Sequence, residues 1–227
     1  MSISQSTCWT VIHAAAAGSP EDREQFARRY EPLIRSYLAA RWRGSPCLAD
    51  LKDAVQEVFV DCFKQDGVLH RADPGRGGGF RPFLYGVVRI VALRFESRRR
   101  GQREHQFPNE MDLEEVAGSE DDLAEVFDRA WAKNLFREAA QLQQQRALKI
   151  GGKSWQRVEL LRLRFQQGMP IREIARDWQV EAAEVHHEYA KARQEFKEAL
   201  LEVMAFHHQG TPAEIEEECT RLAAFWS

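Results

Sequence analysis

The chain has 227 residues, of which 44% are hydrophobic and 30% are charged, and its formal net charge is −3. This composition is typical of a globular protein with one large or two small domains. No apolar run is long enough to span a membrane, and residues 1–7 lack the features of a signal peptide, so we predict a cytoplasmic protein without membrane insertion.

The cysteines give no sign of a disulfide framework or a metal centre. They are scattered at positions 8, 47, 62 and 219, without a Cys-x-x-Cys motif, which is typical of reduced thiols. A zinc site that combines Cys219 with His207 and His208 is disfavoured. The glycine-rich segment 73–79 lacks the Gly-Lys-Ser/Thr ending of a phosphate-binding loop. We therefore predict a protein that is not an enzyme and has no catalytic residue, metal or cofactor.

Every periodic segment has the helical period, which predicts an all-α fold. A short helix over 9–17 precedes a long one that begins after the N-cap Ser19 and ends at Gly44, with a kink at Pro32. The next helix, over 50–64, is apolar on one face. Its other face carries four polar side chains, namely Asp53, Gln56, Glu57 and Asp61.

A helix over 80–103 stands out by its charge. It holds seven arginines and a single acid, Glu96, and its apolar residues recur at helical spacing. Such a concentration of arginine in a chain of negative net charge indicates a polyanion as the target. The aromatic side chains Phe80, Phe83 and Tyr85 at its start suit bases that have left a stack, and burial in a core is the alternative explanation.

Residues 109–128 hold nine acids and no lysine or arginine. A solvated, flexible linker between two folded units explains this segment. Mimicry of nucleic acid, by which the segment shields the basic helix or enters a basic channel of a partner, stays open beside it.

The second half of the chain is also helical. Four further helices are predicted, over 123–148, 155–167, 171–178 and 182–204. The last two flank the turn at 179–181, and a short helix, a tight turn and a longer helix indicate a helix-turn-helix. The tail, 211–226, begins with a capping box and a proline at the first helical position, so it is predicted to be an amphipathic helix.

Three of these segments together resemble bacterial RNA polymerase sigma factors, above all the small two-domain extracytoplasmic-function type. They are the run Asp53-Ala54-Val55-Gln56-Glu57-Val58-Phe59, the helix that begins Phe80-Arg81-Pro82-Phe83-Leu84-Tyr85, and the C-terminal helix-turn-helix. The resemblance extends over residues 19–204, and the tail indicates a branch with its own C-terminal extension.

The resemblance implies two small helical domains joined by an acidic linker. Residues 1–104 would bind core polymerase and the −10 promoter element, 105–122 would form the linker, 123–204 would bind the −35 element, and 205–227 would form the extension. The implied function is to direct promoter recognition and melting by core RNA polymerase. The alternative is a stand-alone helix-turn-helix regulator of transcription that needs no polymerase docking.

The resemblance also implies three sets of binding residues. The β′ clamp helices of core polymerase are the implied partner of Asp53, Gln56, Glu57 and Asp61, and the β subunit of polymerase is a further implied partner. The −10 element is the implied ligand of Arg81, Phe83, Tyr85, Arg89, Arg94, Arg98, Arg99 and Arg100. The −35 element is the implied ligand of Arg172, Glu184, His186, His187, Lys191 and Arg193.

Two departures from the family pattern concern DNA. Ile90 stands where many relatives have asparagine, which removes a polar contact. His186 and His187 stand where relatives commonly have lysine or arginine, and residues 181–197 hold three bases against four acids. Such a helix would release few counterions from DNA on binding, so we predict that its affinity for duplex DNA is weak. That the two histidines are simply exposed polar residues is the alternative.

The sequence does not specify how the activity of the protein is regulated. An anti-sigma protein or a regulatory kinase is a further partner compatible with the resemblance. The acidic linker and the tail helix are both candidates for holding the two domains in an inactive packing.

Overall fold

The computed structural model describes residues 8–73, 79–106, 120–207 and 211–223. This part of the chain is all-helical, as the sequence predicts, and contains no β-strand. Its α-helices are α1 (Cys8–Ala16), α2 (Pro20–Arg41), α3 (Leu51–Phe63), α4 (Phe80–Gln106), α5 (Glu120–Ile150), α6 (Lys153–Gln166), α7 (Ile171–Trp178), α8 (Ala182–His207) and α9 (Pro212–Ala223). Residues 74–78 of the glycine-rich segment, 109–119 of the acidic segment, His208 and Trp226 lie outside the described residues.

The chain divides into two compact units. The first comprises Met1–Asn134 and Ala205–Ser227, and the second comprises Leu135–Met204. The tail helix α9 therefore belongs to the first unit, as do the first turns of α5.

Aromatic rings build much of the core of the first unit. Tyr30 of α2 lies 5.2 Å from Phe80 of α4, measured between ring centroids. From α5, Phe127 lies 5.5 Å from Tyr37, and Trp131 stacks on Tyr30 at 6.1 Å. Such pairs add to the stabilisation that their burial provides. They explain why this part of α5 folds with the first unit, whereas the sequence-based division places it in the second domain.

A buried ion pair fixes α4 against α2. Arg41, which is 3% exposed, donates from Nε and Nη2 to the two carboxylate oxygens of Glu96, at 2.6 and 3.0 Å. The same carboxylate accepts a hydrogen bond from Trp42 Nε1 at 2.8 Å, and Arg41 Nη1 donates to the Tyr37 hydroxyl at 3.2 Å. Burial raises the pKa of Tyr37 to about 12, so this hydroxyl stays protonated. The charges of the pair are thus compensated where they are buried.

The turn after α3 requires glycine at position 67. A Cβ atom there would lie 2.7 Å from the carbonyl oxygens of Cys62 and Lys64. Because these are backbone atoms of the last turn of α3, a larger residue would force that helix to end differently.

The second unit has a small core of its own. Leu160 of α6, Ile174 of α7 and Val185 of α8 are buried together. Gln143 of α5 donates from Nε2 to the carbonyl oxygen of Ala192 at 3.1 Å, which ties α5 to α8. Helix α7 ends at Trp178 and is capped by Gln179 in the left-handed conformation, at φ 57°. Helix α8 begins at Ala182, the predicted position.

Candidate nucleic-acid interface

Helix α3 presents part of its polar face to the surface. Asp53 and Gln56 are exposed, the Glu57 side chain is 24% exposed, and Asp61 is buried. The apolar face, which includes Val58, lies in the core. Of the four residues predicted to dock on a partner, Asp53 and Gln56 are therefore the two that it can reach without any rearrangement.

Three arginines of α4 form ion pairs with acids in or just before α3. We call this set the ion-pair ladder, and it consists of the pairs Arg94–Asp61, Arg98–Glu57 and Arg99–Asp50. The shortest distances between nitrogen and oxygen in these pairs are 2.6, 2.8 and 2.6 Å. Arg98 and Arg99 each donate two hydrogen bonds to one carboxylate. Bidentate pairing of this kind fixes the orientation of the guanidinium group.

The ladder lowers the pKa of two of its acids, Asp50 and Asp61. Hydrogen bonds from Arg99 hold the pKa of Asp50 below its usual range. Burial raises the pKa of Asp61, but the hydrogen bonds and charges of Lys64 and Arg94 outweigh it, so the net shift is downward. Because each acid of the ladder compensates the charge of an arginine, the positive electrostatic potential around α4 is weaker than the number of its arginines suggests.

Replacing Asp61 with asparagine should lower the free energy of unfolding of the first unit by about 1 to 2 kcal/mol at neutral pH, because Arg94 and Lys64 lose a charged acceptor. Since the folded-state pKa is depressed, this stabilisation is present above the unfolded value and is lost as the pH falls through the folded value. The difference between wild type and variant in urea unfolding should therefore be largest above about pH 5 and close to zero at about pH 2. Asp53→Asn, at an exposed position of the same helix, is the control and should change the free energy of unfolding at neutral pH by less than about 0.5 kcal/mol. A wild-type advantage that persists at low pH would contradict the assignment.

The first turn of α4 places Arg81 between two acids from other helices of the same unit. Arg81 Nε lies 3.5 Å from Asp128 Oδ1 on α5, and Nη1 lies 3.4 Å from Glu218 Oε1 on α9. Helix α9 is held at its start by the predicted capping box, in which the Thr211 N–H donates to Glu214 Oε2 at 2.7 Å. The acidic tail helix thus contacts one of the arginines predicted to bind DNA.

The aromatic residues at the start of α4 are divided between core and surface. Phe80 is fully buried. Phe83 and Tyr85 are half-buried, with Phe83 5.6 Å from Phe80 and Tyr85 5.1 Å from Phe127 between ring centroids. Burial in the core therefore explains the aromatic residue at position 80, whereas part of the Phe83 and Tyr85 side chains is accessible to a ligand.

The two remaining arginines of the predicted −10 set differ in exposure. Arg89 is half-buried and Arg100 is exposed. Arg100 makes no ion pair with any residue that the structure describes. It is the arginine of the 98–100 run that an anion can reach most directly.

On the second unit, Arg157 of α6 contacts two acids of α8, and sequence reasoning missed it. Its Nη1 lies 3.1 Å from Glu188 Oε2 and its Nε lies 3.0 Å from Glu195 Oε1. The available signal was the excess of acids in α8, which calls for bases on a neighbouring helix.

The residues predicted to read the −35 element lie largely at the surface of this unit. Arg172, His186 and His187 are exposed. Glu184 and Lys191 each form an ion pair within the unit, with Lys153 at 3.2 Å and Glu188 at 3.3 Å. The Arg193 guanidinium lies 5.8 Å from the centre of the Tyr189 ring.

Other chemistry finds little support in the described residues. They contain no cluster of three His, Cys, Asp or Glu side chains that could hold a metal ion. Burial raises the pKa of the Cys8 and Cys62 thiols to about 12, which makes both unreactive at neutral pH. Over the same ranges of the chain, the helices are too short or too polar to cross a membrane.

A scan against models of known protein families finds none that matches this chain, and a search of curated proteins finds no match either. The function is therefore inferred from the chain's own residues. Two features carry the inference: the polar face of α3 beside the arginines of α4 in the first unit, and the α7–turn–α8 arrangement in the second.

Proposed function

We propose that this protein is a sigma factor of the extracytoplasmic-function type, which binds core RNA polymerase and directs promoter recognition and melting. The observation that carries the proposal is the position of two unlike surfaces side by side in one helical unit, acidic-polar on α3 and arginine-rich on α4. The first suits a basic protein surface and the second suits unwound DNA. In this proposal the protein is an adaptor that makes no covalent bond, needs no cofactor and acts in the cytoplasm.

Helix α3 is the docking helix for the β′ clamp helices of polymerase. Asp53 and Gln56 offer exposed hydrogen-bonding groups, and Glu57 adds a carboxylate at the edge of the same face. Asp61 lies beneath this face and supports it by holding Arg94 and Lys64.

Helix α4 captures the separated promoter strand. Arg98, Arg99 and Arg100 contact phosphates at one end, while Phe83 and Tyr85 lie against an unstacked base at the other. Neither surface needs to bind its ligand tightly alone. Once the protein has docked on polymerase, the promoter strand is held near α4, which raises the effective concentration of the DNA at that site.

Helix α8 and Arg172 of α7 approach the −35 element through the major groove. Because Lys191 is already paired with Glu188, we expect weak duplex affinity from this unit alone. The exposed apolar side chains Trp155 and Phe165 suit a contact with the β subunit of polymerase. An anti-sigma protein or a regulatory kinase would act on these same surfaces.

The docking assignment is tested by equilibrium binding to purified core RNA polymerase. The double variant Asp53→Ala/Gln56→Ala should bind at least about tenfold more weakly than wild type, because two contacts at the centre of an interface are lost. Glu24→Ala/Gln25→Ala, an exposed acid and glutamine on α2, is the matched control and should bind as wild type does.

Equal binding of wild type and the α3 variant would remove the docking assignment. Failure of the wild-type chain to bind polymerase, together with binding to duplex DNA, would favour the stand-alone helix-turn-helix regulator instead.

A further inference from the structure

The ion-pair ladder connects the two surfaces that the proposed function uses. Glu57 belongs to the docking face of α3, and Arg98 belongs to the phosphate-contacting set of α4. Both oxygens of the Glu57 carboxylate accept hydrogen bonds from Arg98, at 2.8 and 3.2 Å. A cationic group of a docking partner therefore competes with Arg98 for this carboxylate, and a DNA phosphate competes with Glu57 for Arg98.

The neighbouring pairs strengthen this connection. Arg94 lies 3.6 Å from Glu57 as well as 2.6 Å from Asp61, and Arg99 is held by Asp50. In the isolated chain, the three arginines of the ladder are thus already paired with acids. Their positive charge becomes available to an anion only as those pairs open.

We propose that Glu57 couples polymerase docking to DNA binding. This inference depends on the proposed function and adds to it the regulation of the DNA site. Docking engages Glu57 and releases Arg98, which then contacts a phosphate of the unwound strand. Because coupling between two ligands is reciprocal, bound DNA strengthens polymerase docking by the same factor. The isolated chain then binds DNA weakly, and the complex with polymerase binds it more tightly.

The exposure of the pair suits such an exchange. The Arg98 side chain is 54% exposed and that of Glu57 is 24% exposed, so the pair opens into solvent without leaving a charge buried. Exposed ion pairs contribute little to stability, so opening this pair costs little free energy. We therefore expect docking to raise the affinity for DNA by about twofold to fivefold.

The test measures binding of a fluorescent single-stranded oligonucleotide of mixed sequence to the full chain, without polymerase, across a series of salt concentrations. Glu57→Gln should bind about twofold to fivefold more tightly than wild type at low salt. The slope of log affinity against log salt should become steeper by about 0.7, the value for one additional phosphate contact on a single strand. Glutamine keeps the size of the side chain, and the helical content measured by circular dichroism should be unchanged.

The matched control is Glu31→Gln on α2. It removes the same charge and breaks another glutamate–arginine ion pair, Glu31–Arg35 at 2.6 Å within α2, in which neither residue is assigned to a binding surface. Its affinity should stay within about 1.5-fold of wild type, because salt screens the distant charge.

Equal affinities and slopes for Glu57→Gln and Glu31→Gln would overturn the coupling and leave the proposed function standing. Absence of DNA binding by wild type and both variants at low salt would likewise overturn the coupling. The proposed function is overturned separately, if the wild-type complex with core polymerase does not bind a pre-melted promoter fork.

Discussion

Replacing Arg41 with methionine should lower the free energy of unfolding of the first unit by about 3 to 5 kcal/mol. The Arg41 side chain is almost fully buried, and its removal leaves the Glu96 carboxylate without the cation that compensates it. The Tyr37 hydroxyl loses a hydrogen-bonding partner at the same time. Methionine is close to arginine in length, so the loss reflects the charge pair more than a cavity. Hydrogen exchange of the α2 and α4 amide groups measures the effect within this unit.

Two further variants show whether the loss of stability comes from the broken ion pair. Arg43→Met, at an exposed position two residues along, should change the exchange rates little. Arg41→Met/Glu96→Gln should recover part of the lost stability, because the glutamine carbonyl still accepts from Trp42 and no charge remains buried. A loss below about 1 kcal/mol in the single variant would show that this pair does not fix α4.

Neutralising Arg98, Arg99 and Arg100 to glutamine should weaken binding of the polymerase complex to a pre-melted promoter fork by about a hundredfold at 0.1 M salt. The slope of log affinity against log salt should fall by about 2, since three phosphate contacts on a single strand are lost. In the absence of polymerase the effect should be smaller, because Arg98 and Arg99 are then paired with Glu57 and Asp50.

The triple variant Arg28→Gln/Arg35→Gln/Arg43→Gln is its matched control. It removes three exposed positive charges and, like the site variant, breaks two ion pairs, here with Glu24 and Glu31. The control should retain the salt slope of wild type. A site variant that behaves like the control would show that the 98–100 run does not contact phosphate.

Local features of the fold could be read from the sequence. Ser19 caps α2 by accepting a hydrogen bond from the Asp22 N–H, as predicted from the Ser-Pro-Glu-Asp run. The capping box of α9 and the start of α8 at Ala182 are likewise confirmed. Caps, turns and helical periodicity act over a few residues, so one stretch of sequence contains all of their determinants.

Contacts between distant segments could not be read in the same way. Arg98 and Glu57 are 41 residues apart, and Arg41 and Glu96 are 55 residues apart. Counting charges along 80–103 gives one acid against seven arginines, whereas packing brings further acids from other helices to the same surface. Arg98 and Arg99 pair with two separate acids, Glu57 and Asp50.

The predicted tail helix illustrates both cases. Its amphipathic pattern required a surface on which to bury its apolar face, and Ile215 is indeed buried, within the first unit. The contact between Glu218 and Arg81 depends on how that helix is placed on α4 and α5, which its own sequence does not specify.

Run-off transcription with purified core RNA polymerase on genomic fragments tests the central claim most directly. We expect defined start sites that appear only when this protein is added and that disappear with Asp53→Ala/Gln56→Ala and with the Arg98–Arg100 glutamine variant. Transcripts that are the same with and without the protein, or start sites that survive both variants, would contradict the account.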